Sequence, residues 1–210
     1  MWIDISRPIE PGALLHPEDP APVFSRYSDM ARGDDYNLTQ LTISIHTGTH
    51  FDAPLHFVRD GKSIDQLPLE TFIARAHVIN LGEAECCRPE HLADHGIETG
   101  DAVLLRTSNE RLPRDKMAER WVWVSAEAAQ WCVDHGVSML GVDYVEVESP
   151  DTPHGEYPVH QTVLPAGVLL LENLDLRGVD EGVYELICPP LKITGAEGAP
   201  CRALMRKSPA

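Results

Sequence analysis

The sequence predicts an α/β chain made mainly of short strands with a few short helices, and three observations carry that expectation. Apolar residues come in brief runs, such as AHVINL over 76–81 and VLLL over 168–171, rather than in long stretches of helical period. Only three short segments, 69–74, 89–95 and 126–135, suit a helix. The chain has 210 residues, 43% of them hydrophobic, which is ample for one core and points to one domain over 1–210.

In chain order, residues 2–6 form the first strand candidate. Residues 7–22 form a loop, because Pro8, Pro11, Pro17, Pro20 and Pro22 deny it regular structure. Loops this long in compact domains often serve function, and this one could cover a pocket. Residues 24–36 are polar and carry no clear pattern. Residues 41–45, LTISI, alternate, so Leu41, Ile43 and Ile45 share one face of a strand and Thr42, Ser44 and His46 the other. Gly61 supplies a turn over 59–62. A helix over 69–74 leads into a strand over 76–81, with His77 packed in the sheet. Pro89 opens a helix in which His91 and His95 share an exposed face.

Residues 101–107 form an apolar strand, and 109–120 a charged, solvated loop. Ser125 is a suitable N-cap for a helix over 126–135, with Glu127 in its first turn and Gly136 as its stop. Residues 137–142 form the next strand and end in Asp143, which either supports a ligand histidine or caps a turn. Glu146, Glu148 and Asp151 follow among prolines, then His154 and His160, either of which could reach a metal. The buried strand 168–172 ends in Glu172, a carboxylate that is costly to bury without a partner. Strands over 184–187 and 202–205 close the fold, with 195–200 as the loop between them. The segment contains no repeat or Gly-rich phosphate loop.

The chemistry concentrates in residues 46–56, HTGTHFDAPLH, where His46, His50, Asp52 and His56 fall within eleven residues. Imidazole nitrogens and carboxylate oxygens are the donors preferred by Zn²⁺ and similar divalent ions. Gly48 breaks the preceding strand and Pro54 excludes a long helix, so a turn can fold His50 and Asp52 back beside His46. A cupin-like metal barrel would space its histidines and glutamate differently.

The motif resembles the H-x-G-T-H-x-D-x-P-x-H signature of the cyclase family of metal-dependent hydrolases, and within it the bacterial kynurenine formamidases. The resemblance extends to WIDIS at the start, Gly141–Val–Asp143 in the middle, and Pro189–Pro–Leu–Lys192 through Pro200–Cys–Arg202 near the end. It implies a mixed, barrel-like central β-sheet flanked by short helices, the swivelling β/β/α fold of that family, and a homodimer or larger assembly. It also implies that His46, His50, Asp52, His160 and Glu172 hold two divalent ions, zinc or alternatively manganese, with Asp52 as the bridge and His56 as the acid/base. The implied reaction is hydrolysis of N-formylkynurenine to kynurenine and formate by a metal-activated water. The family's loop carries a bulky aromatic against the substrate; here the segment reads LHPED over 15–19, so His16 stands where the aromatic would be, as a substrate-binding residue, a third metal ligand or a surface loop histidine. Two other readings stand beside this one: a lactam or cyclic-imide hydrolase of the isatin hydrolase branch, which replaces the distant glutamate with an amide, and a noncatalytic metal binder.

A net charge of −16 and a pI near 4.9 argue against nucleic-acid partners and against anionic membranes. No apolar run reaches the ~20 residues of a membrane helix, and no basic leader precedes the first strand, so the expected location is the cytoplasm. Five cysteines without framework spacing are expected to be reduced thiols.

Overall fold

The computed structural model describes residues 1–208. Its strands are β1 (Ile3–Asp4), β2 (Val23–Ser28), β3 (Leu38–Thr42), β4 (His50–Asp52), β5 (Ile73–Asn80), β6 (Cys86–Cys87), β7 (Ala102–Arg106), β8 (Trp123–Val124), β9 (Met139–Val142), β10 (Leu169–Glu172), β11 (Gly182–Ile187), β12 (Gly198–Pro200) and β13 (Leu204–Lys207). Two α-helices, α1 (Ala126–Asp134) and α2 (Pro158–Val163), join them. Nine strands form one mixed sheet in the order β1-β13-β11-β5-β7-β9-β10-β4-β12. Its centre, β5-β7-β9-β10, is parallel, and both flanks are antiparallel. The sheet curls into a half-barrel: past the end of edge strand β1, Ser6 bridges to Leu174 beyond β10, and Asp175 N–H donates to the Ile5 carbonyl at 2.8 Å.

Strand alternation divides the apolar side chains between two layers. Phe51, Val78, Leu104, Leu169, Leu171 and Met205 pack together inside the curl. Val103, Leu105, Leu140 and Leu170 face the other way, against Ala128, Ala129 and Cys132 of α1 and Val159 and Val163 of α2. Parallel strands sandwiched in this way read as continuous apolar runs, which is the pattern of 102–105 and 168–171. Helix α1 starts where Ser125 Oγ accepts the Ala128 N–H at 3.1 Å and stops before Gly136, at φ +69°.

Several elements differ from the sequence expectation. The strand of 41–45 lies earlier, as β3, and pairs with β2 in a hairpin built from the segment without a pattern. Both strands are largely exposed, and Leu41 does not reach the core. The strand ends at Thr42, and the chain turns away past Ser44, whose hydroxyl donates to Asp19 Oδ1 at 2.7 Å and accepts the His46 N–H at 3.2 Å. The loop of 195–200 contains β12, paired with β4. The helices of 69–74 and 89–95 shrink to single 3₁₀ turns, Leu69–Phe72 and Pro89–His91, so His91 and His95 share no helix face. His77 is buried in β5 and hydrogen-bonded to Asp101 at 2.8 Å. Asp143 caps a turn, accepting from Thr107 N–H and Oγ1 at 2.8 and 2.7 Å. All five thiols are free. Among the described residues no helix is long and apolar enough to cross a membrane.

Candidate metal centre

Strand β4 delivers two polar side chains to one face of the sheet. It lies between β10 and β12, so His50 pairs with Glu172, while Phe51, pointing the opposite way, enters the barrel core. Gly48, at φ +71°, makes the turn that brings His46 back to this face. A Cβ at Gly48 would also stand 2.9 Å from Ile9 Cγ1, so glycine is required there twice over. The same turn aims the Gly48 carbonyl at His50 Nδ1, 2.9 Å away, which leaves His50 Nε2 facing the pocket.

Two groups of three donors result, and Asp52 belongs to both. His46, Asp52 and His56 form one; His50, Asp52 and Glu172 form the other, with the donor atoms of each group within 4.8 Å of one another. His46 Nδ1 lies 2.8 Å from Asp52 Oδ1. His50 Nε2 lies 3.5 Å from that oxygen and 3.6 Å from Glu172 Oε2. His160 Nε2 enters from α2, 3.7 Å from Asp52 Oδ2 and 3.9 Å from Glu172 Oε1. His50, Asp52, His160 and Glu172 are all buried.

These donors fit a cation better than they fit each other. His50 Nε2, Asp52 Oδ1 and Glu172 Oε1 are buried and, among the described residues, make no hydrogen bond, so His46 Nδ1 stands close to Asp52 Oδ1 but out of hydrogen-bonding line. An unsatisfied buried polar group costs about 1–3 kcal/mol, and three that converge on one space mark a place for a positive charge. The protonation balance agrees. Burial and the Asp52 charge hold Glu172 well above the usual carboxylate range. Burial opposes ionisation of Asp52, but contacts with His160 and His46 hold it well below that range. Burial pulls His50 down to about 4, leaving it neutral. Burial also disfavours charge on His160, yet the Asp52 and Glu148 carboxylates raise it to about 10. A divalent ion would supply the charge that this proton otherwise provides.

His56 sits at the more open end, its ring 4.4 Å from that of His46 and 6.0 Å from that of His160. Burial lowers its pKa despite the nearby Asp52. The long N-terminal loop crosses the pocket mouth, anchored by buried Leu14 against Tyr144 and Val145 and by the Asp19–Ser44 hydrogen bond. It brings His16 into the lining of the same cavity, about 180 Å³, with Nε2 3.8 Å from Glu146 Oε2. Phe57 and Tyr157 add an aromatic wall, their rings 5.0 Å apart. The six residues singled out in the sequence as ligands or acid/base therefore converge, and His16 faces them across the cavity; His154 lines a neighbouring cavity instead. Sequence reasoning gave no role to Glu148, whose Oε1 lies 2.8 Å from His160 Nδ1, or to Glu197, 3.7 Å from His46 Nε2.

The Cyclase family model matches residues 3–149. Among curated proteins, the chain is 37% identical to the kynurenine formamidase of Salinibacter ruber, covering 99% of this chain and 98% of that one. It is 33% identical to the kynurenine formamidase of Bacillus cereus, covering 98% and 97%. Among solved structures it is similar to a potential metal-dependent hydrolase with cyclase activity, with TM-score 0.83, 28% identity and 99% of each chain covered. It is also similar to isatin hydrolase A from Labrenzia aggregata, with TM-score 0.84, 25% identity, and 98% and 93% of the chains covered.

Proposed function

We propose, from the premise that this chain belongs to the cyclase family, that it is a metal-dependent hydrolase of C–N bonds whose substrate is an aryl formamide, N-formylkynurenine, and whose products are kynurenine and formate. The observation that carries the reading is the sharing of Asp52 between two donor groups, one of which contains the carboxylate of Glu172. In this reading His46, His50, Asp52, His160 and Glu172 would hold two divalent ions, zinc or alternatively manganese, Asp52 being the residue common to both donor groups. Such ions supply Lewis acidity and lower the pKa of a bound water to about 7.

The chain's own groups perform the remaining tasks. His56, kept neutral by burial, accepts the proton of the attacking water and returns it to the departing nitrogen. An anilide-type nitrogen leaves readily only when protonated, so this transfer completes the cleavage. Phe57 and Tyr157 offer flat apolar surface to an aryl group, and His16 binds the substrate from the loop side. The protein acts on this small molecule in the cytoplasm, as a homodimer or larger assembly. Likeness to isatin hydrolases keeps lactam hydrolysis as the second reading; the carboxylate at Glu172 favours the formamidase.

Elemental analysis of purified protein, run beside hydrolysis of N-formylkynurenine and of isatin, tests the proposal. About two equivalents of zinc or manganese with formamide turnover is the expected result. Isatin turnover alone would move the substrate to the lactam, and protein that takes up no metal on reconstitution would overturn the metal reading.

A further inference from the structure

We propose that Glu148 is the positioning residue for His160: it fixes the imidazole with Nδ1–H toward itself and Nε2 toward Asp52 and Glu172, and so gives this ligand a stronger donor nitrogen than its counterpart His50. The inference rests on the reading of His160 as a metal ligand.

Glu148 lies in the irregular segment after β9, twelve residues before His160, and is 4% exposed. Its two oxygens do two jobs. Oε1 takes His160 Nδ1 at 2.8 Å. The same carboxylate accepts the Val159 N–H, at 3.0 Å to Oε1 and 3.1 Å to Oε2, and the His160 N–H at 3.0 Å. Helix α2 needs this. It begins at Pro158, which has no N–H to satisfy, and its N-cap residue Tyr157 makes no side-chain cap hydrogen bond. One buried carboxylate from elsewhere in the chain therefore closes the first turn of α2 and orients the ring which that turn carries.

Glu148 is itself held from both sides. Its N–H donates to Glu146 Oε1 at 2.8 Å, and its carbonyl accepts Trp121 Nε1–H at 2.8 Å, with Trp121 stacked on Tyr144. Hydrogen bonds thus hold Glu148 at both its backbone and its side chain.

The contrast with His50 gives the inference chemical content. His50 Nδ1 meets a neutral carbonyl, that of Gly48. His160 Nδ1 meets a carboxylate. A histidine that donates its second N–H to a carboxylate is a more basic ligand through the other nitrogen, and loss of such a partner typically costs about 10–100-fold in metal affinity. An ion for which His160 is a donor should accordingly be bound more tightly than it would be with a neutral partner at Nδ1, and Glu148→Gln should weaken that equivalent selectively. The amide keeps an acceptor oxygen for the N–H groups of α2 while removing the anion.

The experiment compares wild type, Glu148→Gln and His160→Ala by chelator-competition titration of both zinc equivalents. It also reads the His160 tautomer in the zinc-loaded protein by long-range ¹H–¹⁵N NMR. The expected result is an Nδ1–H tautomer in the wild type, and in Glu148→Gln a folded protein in which one equivalent weakens about 10–100-fold while the other is unchanged. Unchanged affinity for both equivalents in Glu148→Gln, with one lost in His160→Ala, would overturn the role of Glu148 and leave the ligand reading intact. Unchanged affinities in His160→Ala would overturn the ligand reading itself. Should Glu148→Gln fail to fold, the wild-type tautomer still decides: Nε2–H on His160 overturns the inference.

Discussion

Replacing Asp143 by asparagine should remove a pH-dependent weakness from the protein. Asp143 is 1% exposed, and its carboxylate accepts from Thr107, through N–H at 2.8 Å and Oγ1 at 2.7 Å. Arg7 donates to the Asp143 backbone carbonyl at 2.7 Å rather than to the carboxylate. Burial therefore wins over these favourable contacts and pushes the carboxyl up from 3.8 to about 6. The folded state holds the Asp143 proton more tightly than the unfolded chain does, so stability is fully present below pH ~4 and falls as pH rises through ~6. A difference of roughly 2 units at about 1.4 kcal/mol each makes the loss about 3 kcal/mol. The amide that Asp143→Asn introduces is neutral at every pH, and its oxygen can still accept the Thr107 N–H. Urea unfolding of chelator-treated wild type and Asp143→Asn, from about pH 4 to about pH 7.5, measures this directly. The stability of the variant relative to wild type should climb by about 3 kcal/mol across that window. A difference that stays constant with pH would refute the reasoning and would mean that Asp143 ionises in the fold as easily as in the unfolded chain.

Three further outcomes follow from the site. Asp52→Ala, which removes the residue common to both donor groups, should abolish metal binding and with it the metal-dependent rise in melting temperature, both read by calorimetry with and without zinc. His56→Ala should keep its metal and lose about 10²–10⁴-fold in kcat; loss of one metal equivalent instead would make His56 a ligand, since it stands in donor range beside His46 and Asp52. Gly198→Ala should both destabilise the protein, by about 1–3 kcal/mol, and weaken metal binding. Its Cβ would collide with the Phe51 carbonyl of β4, so β12 must move off the strand that carries His50 and Asp52. Wild-type metal affinity in that variant would show the two strands to be uncoupled.

The legibility of the sequence was uneven for physical reasons. The buried parallel strands 102–105 and 168–171 were readable because a strand covered on both faces must be apolar throughout. The motif at 46–56 was readable because its donors are close in sequence and converge through one turn. The hairpin β2–β3 was not, because an exposed pair has no buried face to impose alternation, and the alternation of 41–45 runs past the end of β3 at Thr42. Strand β12 reads GAP, without a β-branched or aromatic residue; its glycine is required by the nearness of the Phe51 carbonyl, which is a tertiary fact. Glu148 left no signal for a similar reason. It is one acid among several in an irregular segment, and what distinguishes it from Glu146 is that α2 begins against its side chain.

The short strand β4 explains why the site and the core cannot be separated in this fold. Its three residues face alternately, so Phe51 is locked in the barrel interior by the same backbone that holds His50 and Asp52 to the pocket. A one-residue slip of β4 against β10 would place two polar side chains in the apolar core and a phenylalanine among the carboxylates. The core therefore enforces the register of the donors. In return, three of the donor atoms are buried without hydrogen-bond partners among the described residues, so an ion that bound only the folded state would add to its stability. His160 and Glu172 arrive on separate elements, α2 and β10, that pack on the same face as His50 and Asp52. Ion binding by these donors would thus tie together segments more than a hundred residues apart in sequence, and metal removal should loosen the β4–β10–α2 corner before it loosens the β5–β11–β13 side of the sheet. Amide hydrogen exchange with and without chelator would show this as protection lost first at Phe51 and Leu171 and retained at Tyr184 and Met205.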